Sequence, residues 1–179
     1  MLHPQVRVRA AAITDVRSIA DVYIRARRAA YAGFFPATYL DRLNIESATE
    51  VWASRLQEPG TSCFVAEDEG RIAGYVRFGP AIEDPATLGE VFQLHVDPEY
   101  WRRSIGSRLL SEATHRMSEA GLRQAVLYVY TANENARTFY EHEGWQLDGA
   151  GPGAERGGVL ISQLRYRKRL SSAKSDISD

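Results

Sequence analysis

The chain has few features that would tie it to an oxidising compartment, a membrane or a nucleic acid. It has one cysteine, Cys63, so no disulfide can form within the chain, which suits a reducing compartment. No apolar run approaches the roughly 20 residues of a membrane span. Residues 1–7 lack the basic and then apolar pattern of a signal peptide. The formal net charge of −1 gives no strong attraction to nucleic acid or anionic lipid. We expect a cytoplasmic protein that binds neither.

The sequence also has little that could hold a metal ion or act as a thiol nucleophile. Its 4 histidines and its scattered acids show no metal-ligand spacing, so no metal is expected. Cys63 lies in an apolar stretch without a nearby histidine in sequence. It is therefore predicted to be a small core residue rather than a nucleophile.

Length and composition predict one globular domain. The chain has 179 residues, of which 44% are hydrophobic and 25% charged, which is ordinary for a protein that buries its own core. The last residues, 171–179, are rich in serine and aspartate and have almost nothing to bury, so they are predicted to be disordered. We expect a single domain over residues 1–170.

Hydrophobic periodicity predicts an alternation of strands and helices. Helices are expected over 16–30, from Pro36 to Leu43, and over 46–56, 105–120 and 135–142. Strands are expected over 6–10, 62–66, 72–78, 90–96, 124–130, 145–147 and 159–166, with 149–153 as a glycine-rich loop. Strands joined through helices imply a mixed α/β sheet of about seven strands flanked by helices.

The turn between the fourth strand and the 105–120 helix has the chemistry of a phosphate site. A helix start presents unpaired N–H groups and the positive end of the helix dipole. Small residues at Ser104, Gly106 and Ser107 let a ligand approach the backbone, and Arg102 and Arg103 add positive charge. A plain helix entry with surface arginines is the alternative.

Residues 96–110 resemble the acyl-CoA motif of the GCN5-related N-acetyltransferases, the GNAT superfamily. The family pattern is Gln or Arg, two residues, Gly, one residue, then Gly or Ala. Gly106 fits the last position, whereas Trp101 stands where Gln or Arg is usual and Ser104 where the first Gly is usual. Because Ser104 has a Cβ, it can fill that position only if its backbone dihedrals are ordinary for an L-residue.

A second stretch, residues 130–145, resembles the later motif of the same family. That motif reads Asn, two or three residues, Ala, then Phe-Tyr and Gly-Phe, and it corresponds here to Asn133, Ala136, Phe139, Tyr140 and Gly144-Trp145. The resemblance extends from Val6 to about Tyr166. It implies the acyl-CoA N-acyltransferase fold, with a mostly antiparallel sheet, and transfer of an acetyl group from acetyl-CoA to a primary amine.

The resemblance also implies roles for individual residues. Glu90 would be the base that takes a proton from the amine, and its alternative is a solvated carboxylate. A bulge would splay the fourth strand, so that the backbone of Leu94, His95 and Val96 pairs with the pantetheine arm. The N–H of Leu94 would stabilise the negative charge on the thioester oxygen. Although His95 could titrate near neutrality, its mid-strand position favours a structural role.

The remaining coenzyme contacts would come from the loop and from the second motif. The loop residues that would cradle the phosphates are Arg102, Arg103, Ser104, Ile105, Gly106 and Ser107. Tyr140 would protonate the leaving thiolate, or else pack on the core as a helix tyrosine. Asn133 would hydrogen-bond the pantetheine arm, or else cap a helix.

The acceptor is the part of the reaction that the sequence leaves open. Tyr31, Phe34 and Phe35, with Tyr39 nearby, lie at the first helix-to-helix junction, which lines the acceptor site in this family; they could shape an amine pocket or pack the core. Glu83 and Asp84 could attract a cationic substrate or remain solvated. A small-molecule, peptide or protein amine is possible, and so is a homodimer. The alternative function is a non-catalytic acyl-CoA sensor or an interaction domain on the same fold.

Overall fold

A computed structural model describes residues 6–171 of the chain. It contains nine strands and five α-helices. The strands are β1 (Arg7–Ala10), β2 (Ser62–Asp68), β3 (Arg71–Pro80), β4 (Leu88–Val96), β5 (Gln124–Tyr130), β6 (Gln146–Ala150), β7 (Ala154–Arg156), β8 (Val159–Ile161) and β9 (Gln163–Arg169). The helices are α1 (Val16–Tyr31), α2 (Ala37–Asp41), α3 (Ile45–Leu56), α4 (Ile105–Glu119) and α5 (Glu134–His142).

Seven of the strands form one mixed sheet in the order β1-β2-β3-β4-β5-β9-β6. Within residues 6–171, every neighbouring pair in this sheet is antiparallel except β4 and β5, which are parallel. The parallel step requires a crossover, which α4 provides. The predicted mixed, mostly antiparallel sheet of about seven strands is confirmed.

The helices cover both faces of the sheet because side chains alternate along each strand. On one face, α1 and α3 pack through Ile19 and Trp52 against Val65 and Tyr75. On the other face, α4 packs against a core that includes Val76, and Trp145 belongs to the same core. Strand β3 is buried on both faces over residues 73–79, including the charged Arg77, because helices cover the sheet on each side.

The sequence prediction fails at the end of the chain. The predicted strand over 159–166 is broken at Ser162: β8 pairs with β7 as a separate two-stranded ribbon, and β9 joins the main sheet. The predicted glycine loop is partly strand, since β6 continues to Ala150 opposite Leu164. Both errors arise because short strands between glycines have too few residues to show a period. The predicted disordered tail, apart from Ser171, lies outside the described residues.

Candidate active site

Strand β4 separates from β5 halfway along its length. Its parallel pairing with β5 ends at Val91, opposite Leu127. On the other side, Arg77 of β3 pairs with Gln93 and Phe78 pairs with Val91, so Phe92 is an extra residue, a β-bulge. Residues 93–96 therefore leave β5 and expose one backbone edge, which is the bulge and splay that the resemblance implies.

The exposed edge carries the backbone groups of alternate residues. Asp97 donates its N–H to the carbonyl of Ala73 on β3 at 2.9 Å. Alternation along an antiparallel pair then directs the backbone of His95 toward β3, and the backbones of Leu94 and Val96 toward the splay. Of the three residues predicted for this edge, only Leu94 and Val96 present N–H and C=O groups to it.

Trp101 lies against this edge. Its indole Nε1–H donates to the carbonyl of Val96 at 2.8 Å, although 45% of the residue remains exposed. This contact leaves one lone pair of the Val96 oxygen for another donor. The residue at the unusual motif position thus has a definite partner, which the sequence did not suggest.

The loop before α4 adopts a glycine-like backbone, so Ser104 does not have the ordinary dihedrals on which its fit to the motif was conditional. Ser104 is in the left-handed region with φ 57° and ψ 15°, and Arg102 also has a positive φ of 62°. Only glycine adopts this region without steric cost, because a Cβ crowds the backbone there. Ser104 therefore reproduces the turn of the usual glycine at the expense of strain.

The first turn of α4 leaves backbone donors free. Ser104 makes no side-chain cap, and the first helical bond runs from the N–H of Arg108 to the Ser104 carbonyl at 3.1 Å. The N–H groups of Ile105, Gly106 and Ser107 therefore precede the helical ladder and point outward along the helix axis. Ile105 is 1% exposed as a whole residue and its side chain belongs to the core, so this residue has only its backbone N–H to offer a ligand.

Several side chains around the start of α4 contact other residues of the protein. The hydroxyl of Ser107 donates to Glu143 at 2.6 Å, which ties α4 to the end of α5. A Cβ at Gly106 would lie 3.2 Å from Cζ of Phe139, so glycine allows these two helices to approach. Arg103 lies over the Tyr100 ring with its Cζ 5.2 Å from the centroid. Arg102 and Arg103 are both exposed.

The second motif forms the start and inner face of α5. Asn133 is the N-cap, with Oδ1 accepting from the N–H of Ala136 at 3.2 Å, so the helix-cap role is present. Tyr140 is buried, with its ring 6.3 Å from Trp145, and burial raises the pKa of its phenol well above the usual value. Phe139 packs at Gly106 while Tyr140 is buried in the core, and the two neighbouring rings meet edge-on with centroids 5.2 Å apart.

Glu90 lies half-buried on β4 before the bulge, opposite Gly79. Burial raises the pKa of its carboxyl, as does the nearby charge of Glu83, while Arg165 and Arg77 oppose the shift. Glu83 itself pairs with Arg165, whereas the exposed Asp84 accepts only from the neutral hydroxyl of Thr87 and keeps its charge. A carboxyl with a raised pKa is a stronger base than a solvated one.

The aromatic residues at the first helix junction pack mainly against one another. Tyr31 stacks on Phe35 with centroids 5.0 Å apart and meets Tyr130 at the end of β5 edge-on at 5.3 Å. Tyr31 and Phe35 are buried, whereas Phe34 is half-buried. Of the predicted acceptor residues, Phe34 is the most accessible.

His95 and Arg27 both lie against the rings of Tyr23 and Tyr31. The Nδ1 of His95 is 3.0 Å from the Tyr75 hydroxyl, and burial lowers the pKa of its imidazole to about 3, helped by Arg27. His95 is therefore neutral at physiological pH. Arg27 was not among the predicted site residues, although its spacing of four from both Tyr23 and Tyr31 could have indicated a charged residue on the inner face of α1.

Cys63 has the properties of a core residue. Burial raises the pKa of its thiol to about 12, so the nucleophilic thiolate is not formed near neutrality. Over residues 6–171 there is no cluster of three His, Cys, Asp or Glu side chains that could hold a metal. In the same part of the chain, no helix combines the length and the apolar character of a membrane span.

The comparison with known proteins decides the family. The sequence profile of the acetyltransferase (GNAT) family matches residues 24–145, which is well over half of the chain. The chain belongs to the GNAT family. It is therefore an acyl-CoA-dependent acetyltransferase with acetyl-CoA as its cosubstrate, as the two motifs predicted.

Individual GNAT proteins agree with this assignment. A probable N-acetyltransferase of Mycobacterium tuberculosis is 30% identical over 146 residues, which cover 80% of this chain and 82% of that protein. A spermidine N(1)-acetyltransferase of Thermoplasma acidophilum is 22% identical over 148 residues, covering 80% and 89%. The structure of a Thermoplasma acidophilum N-acetyltransferase in complex with coenzyme A superposes with a TM-score of 0.75 at 19% identity, covering 92% of this chain and 99% of that one. The predicted acyltransferase fold is confirmed.

Proposed function

We propose that residues 1–170 form one domain that transfers an acetyl group from acetyl-CoA to a primary amine by direct attack. The observation that carries this proposal is the splayed edge of β4 beside the free N–H groups of α4. One strand thus presents both an unpaired backbone edge and, through the loop that follows it, a site for phosphate.

The residues present fit the coenzyme. The N–H groups of Ile105, Gly106 and Ser107 form an anion site at the start of a long helix, and the exposed Arg102 and Arg103 add charge. The edge groups of Leu94 and Val96 suit the amides of a pantetheine arm, as an added strand would. Asn133 keeps its side-chain N–H₂ group available to donate while Oδ1 caps α5.

Acetyl-CoA supplies a thioester whose carbonyl carbon an amine can attack. A lysine-type amine has a reference pKa of about 10.4, so it must first lose a proton at neutral pH. We assign that proton to Glu90, directly or through water. Its half-buried carboxyl has a raised pKa, which makes it a better acceptor than a solvated carboxylate.

Two further groups complete the transfer. The Leu94 N–H, which faces the splay, can stabilise negative charge that develops on the thioester oxygen. Tyr140 holds its proton at neutral pH because burial raises its pKa. The same burial makes a thiolate beside it costly, which favours delivery of the phenol proton to the leaving sulfur.

Acetyl-CoA binding and amine-dependent thiol release test the proposal. We expect acetyl-CoA to raise the melting temperature of the protein, and a panel of amines to release free thiol faster than acetyl-CoA alone. Binding without turnover on any amine would favour an acyl-CoA sensor. Absence of binding would favour an interaction domain, in which the strained loop at Ser104 no longer holds phosphate.

A further inference from the structure

Arg27 is a buried cation with almost no polar partner. It projects from α1 and is only 6% exposed. Its Cζ lies 5.0 Å from the Tyr23 ring centroid and 4.9 Å from that of Tyr31, and its Nη2 donates to the Tyr39 hydroxyl at 3.2 Å. Its Nε–H has no partner among the described residues. Burying a guanidinium in this way is costly, so its presence requires an explanation.

No neighbouring group supplies a compensating negative charge. The ionisable groups that influence Arg27 are phenols, including Tyr23, Tyr31 and Tyr39. Tyr31 is neutral near pH 7 because burial raises its pKa to about 12. None of the ion pairs found over residues 6–171 includes Arg27. The side chain therefore keeps an uncompensated positive charge.

His95 adds a second unused donor beside the same rings. Its ring lies 5.9 Å from Tyr23 and 6.5 Å from Tyr31. Because the hydroxyl of Tyr75 can donate to Nδ1, the proton of the neutral imidazole is assigned to Nε2. That Nε2 is buried and has no partner within the described part of the chain. Arg27 and His95 thus offer N–H groups without an acceptor.

These donors lie at the splay and not at a distant surface. His95 follows Leu94, whose backbone faces the opening, and Tyr31 meets Tyr130 where β5 ends. The side chain of His95 points to the α1 face, because it contacts Tyr23 and Tyr75. An acceptor that enters from this face would reach the splay beside Arg27.

We propose that Arg27, with His95, binds the carboxylate of the acceptor, so that the substrates are amino acids or similar zwitterions and not polyamines. The proposal rests on the acetyltransferase function above and specifies its substrate class. A guanidinium suits this task because its planar fork matches the two oxygens of a carboxylate. The same charge would repel a second ammonium group, as in a polyamine.

The reaction on such a substrate balances without any further reagent. The ammonium group first gives one proton to Glu90, which passes it to solvent, and the free amine forms an amide bond with the acetyl carbon while the carbon–sulfur bond breaks. The leaving thiolate gains a proton from Tyr140, and the second nitrogen proton, lost as the intermediate collapses, returns through water to the Tyr140 phenolate. The carboxylate held by Arg27 takes no part in bond changes and only positions the amine.

Matched pairs of amines test the proposal on the unmodified protein. L-phenylalanine and phenethylamine, or L-leucine and isoamylamine, differ only in the carboxylate. With acetyl-CoA, we expect kcat/KM to be about 10- to 100-fold higher for the amino acid, since a hydrogen-bonded charge is involved. With coenzyme A present, N-acetyl-L-phenylalanine should raise the melting temperature more than N-acetylphenethylamine does.

A variant then assigns the preference to this side chain. Arg27→Gln should abolish the preference for the carboxylate and leave the thermal shift with acetyl-CoA unchanged. The matched control is Arg28→Gln on the same helix, where the guanidinium donates to the carbonyls of Leu40 and Leu43; it should keep the preference. If Arg27→Gln does not fold, Arg27→Lys keeps the charge but loses the planar fork and should weaken the carboxylate preference, and no preference for N-acetyl-L-phenylalanine in the unmodified protein would overturn the proposal without a variant.

The outcomes separate this inference from the function on which it rests. Acetyl-CoA binding and turnover with equal or better use of phenethylamine or spermidine would overturn the carboxylate site alone. A carboxylate preference that survives Arg27→Gln would also overturn it. No acetyl-CoA binding would instead overturn the proposed function.

Discussion

The two sides of the splay between β4 and β5 are built from different parts of the chain. The proposed coenzyme side, which consists of the β4 edge at residues 93–96, the loop 101–104 and the start of α4, offers mostly backbone groups. The proposed acceptor side, which consists of the α1–α2 junction and His95, offers side chains in a buried aromatic group. The position of a backbone group is set by the path of the chain, whereas the chemistry of a side-chain site depends on which residues the fold brings together.

This difference affects what each substitution should do. On the coenzyme side, a residue matters for the dihedral angles that it permits, as Ser104 shows. On the acceptor side, a residue matters for its charge and hydrogen-bond capacity, as Arg27 and His95 show. Substitutions on the coenzyme side should therefore act through the strain of the loop. Substitutions on the acceptor side should act through the loss of buried polar groups.

The largest expected effect concerns Tyr140, the proposed acid, which is buried beside Phe139 and Trp145. Tyr140→Phe removes only the hydroxyl, so the ring still packs near Trp145. We expect kcat to fall by about 100-fold or more, because a general acid contributes on this order, while the thermal shift with acetyl-CoA is retained. Steady-state thiol release with a good acceptor measures the change.

Tyr166→Phe is the matched control for Tyr140. The Tyr166 hydroxyl donates to Glu141 at 2.7 Å and lies outside the site. Its loss should lower stability by about 1 kcal/mol without an effect on kcat. Equal kcat values for the Tyr140 variant and the unmodified protein would remove Tyr140 as the acid.

The sequence predicted the coenzyme side better than the acceptor side. Helix periodicity located α4 from Ile105, and the motifs placed Gly106 and Asn133 at helix starts. These features depend on the succession of residues within one short segment, which the sequence shows directly. A bulge in the fourth strand was expected from family resemblance alone, and its position at Phe92 was not predicted, since no residue type marks it.

The features that the sequence missed depend on contacts between distant segments. Arg27 and His95 are 68 positions apart in the sequence, and only the packing of α1 on the sheet brings both against Tyr23 and Tyr31. The hairpin of β7 and β8 is likewise held by tertiary contacts, since Ile161 of β8 packs in the same buried cluster as Tyr31. Periodicity in one segment cannot show such contacts.

The second prediction concerns the acceptor side and states how the free energy of unfolding changes with pH because of His95. Its pKa is about 3 when folded, against about 6.5 for a free imidazole. Between these values the unfolded chain binds a proton that the folded protein does not, so stability is lost as the pH falls from about 6.5 toward 3. We expect this residue to account for a loss on the order of 3 kcal/mol between pH 7 and pH 4.5.

Urea unfolding at the two pH values measures this contribution. His95→Asn keeps an acceptor near the Tyr75 hydroxyl but cannot titrate, so its stability should fall less between pH 7 and pH 4.5. His115→Asn, on the exposed face of α4, is the control and should keep the pH dependence of the unmodified protein. The same slope in all three proteins would contradict a buried, neutral His95.

The smallest expected effect concerns backbone strain on the coenzyme side. Ser104→Gly should raise the free energy of unfolding by about 1 kcal/mol, because glycine adopts the left-handed conformation at φ 57° without a clash. Ser111→Gly makes the same chemical change within α4 and should lower stability by about 0.5 kcal/mol, since glycine is a poorer helix former than serine. Thermal unfolding of the two variants therefore separates relief of strain from the general effect of glycine. Opposite signs support a loop that keeps the turn of the usual glycine despite its serine, whereas a loss of stability in both would mean that Ser104 is not strained.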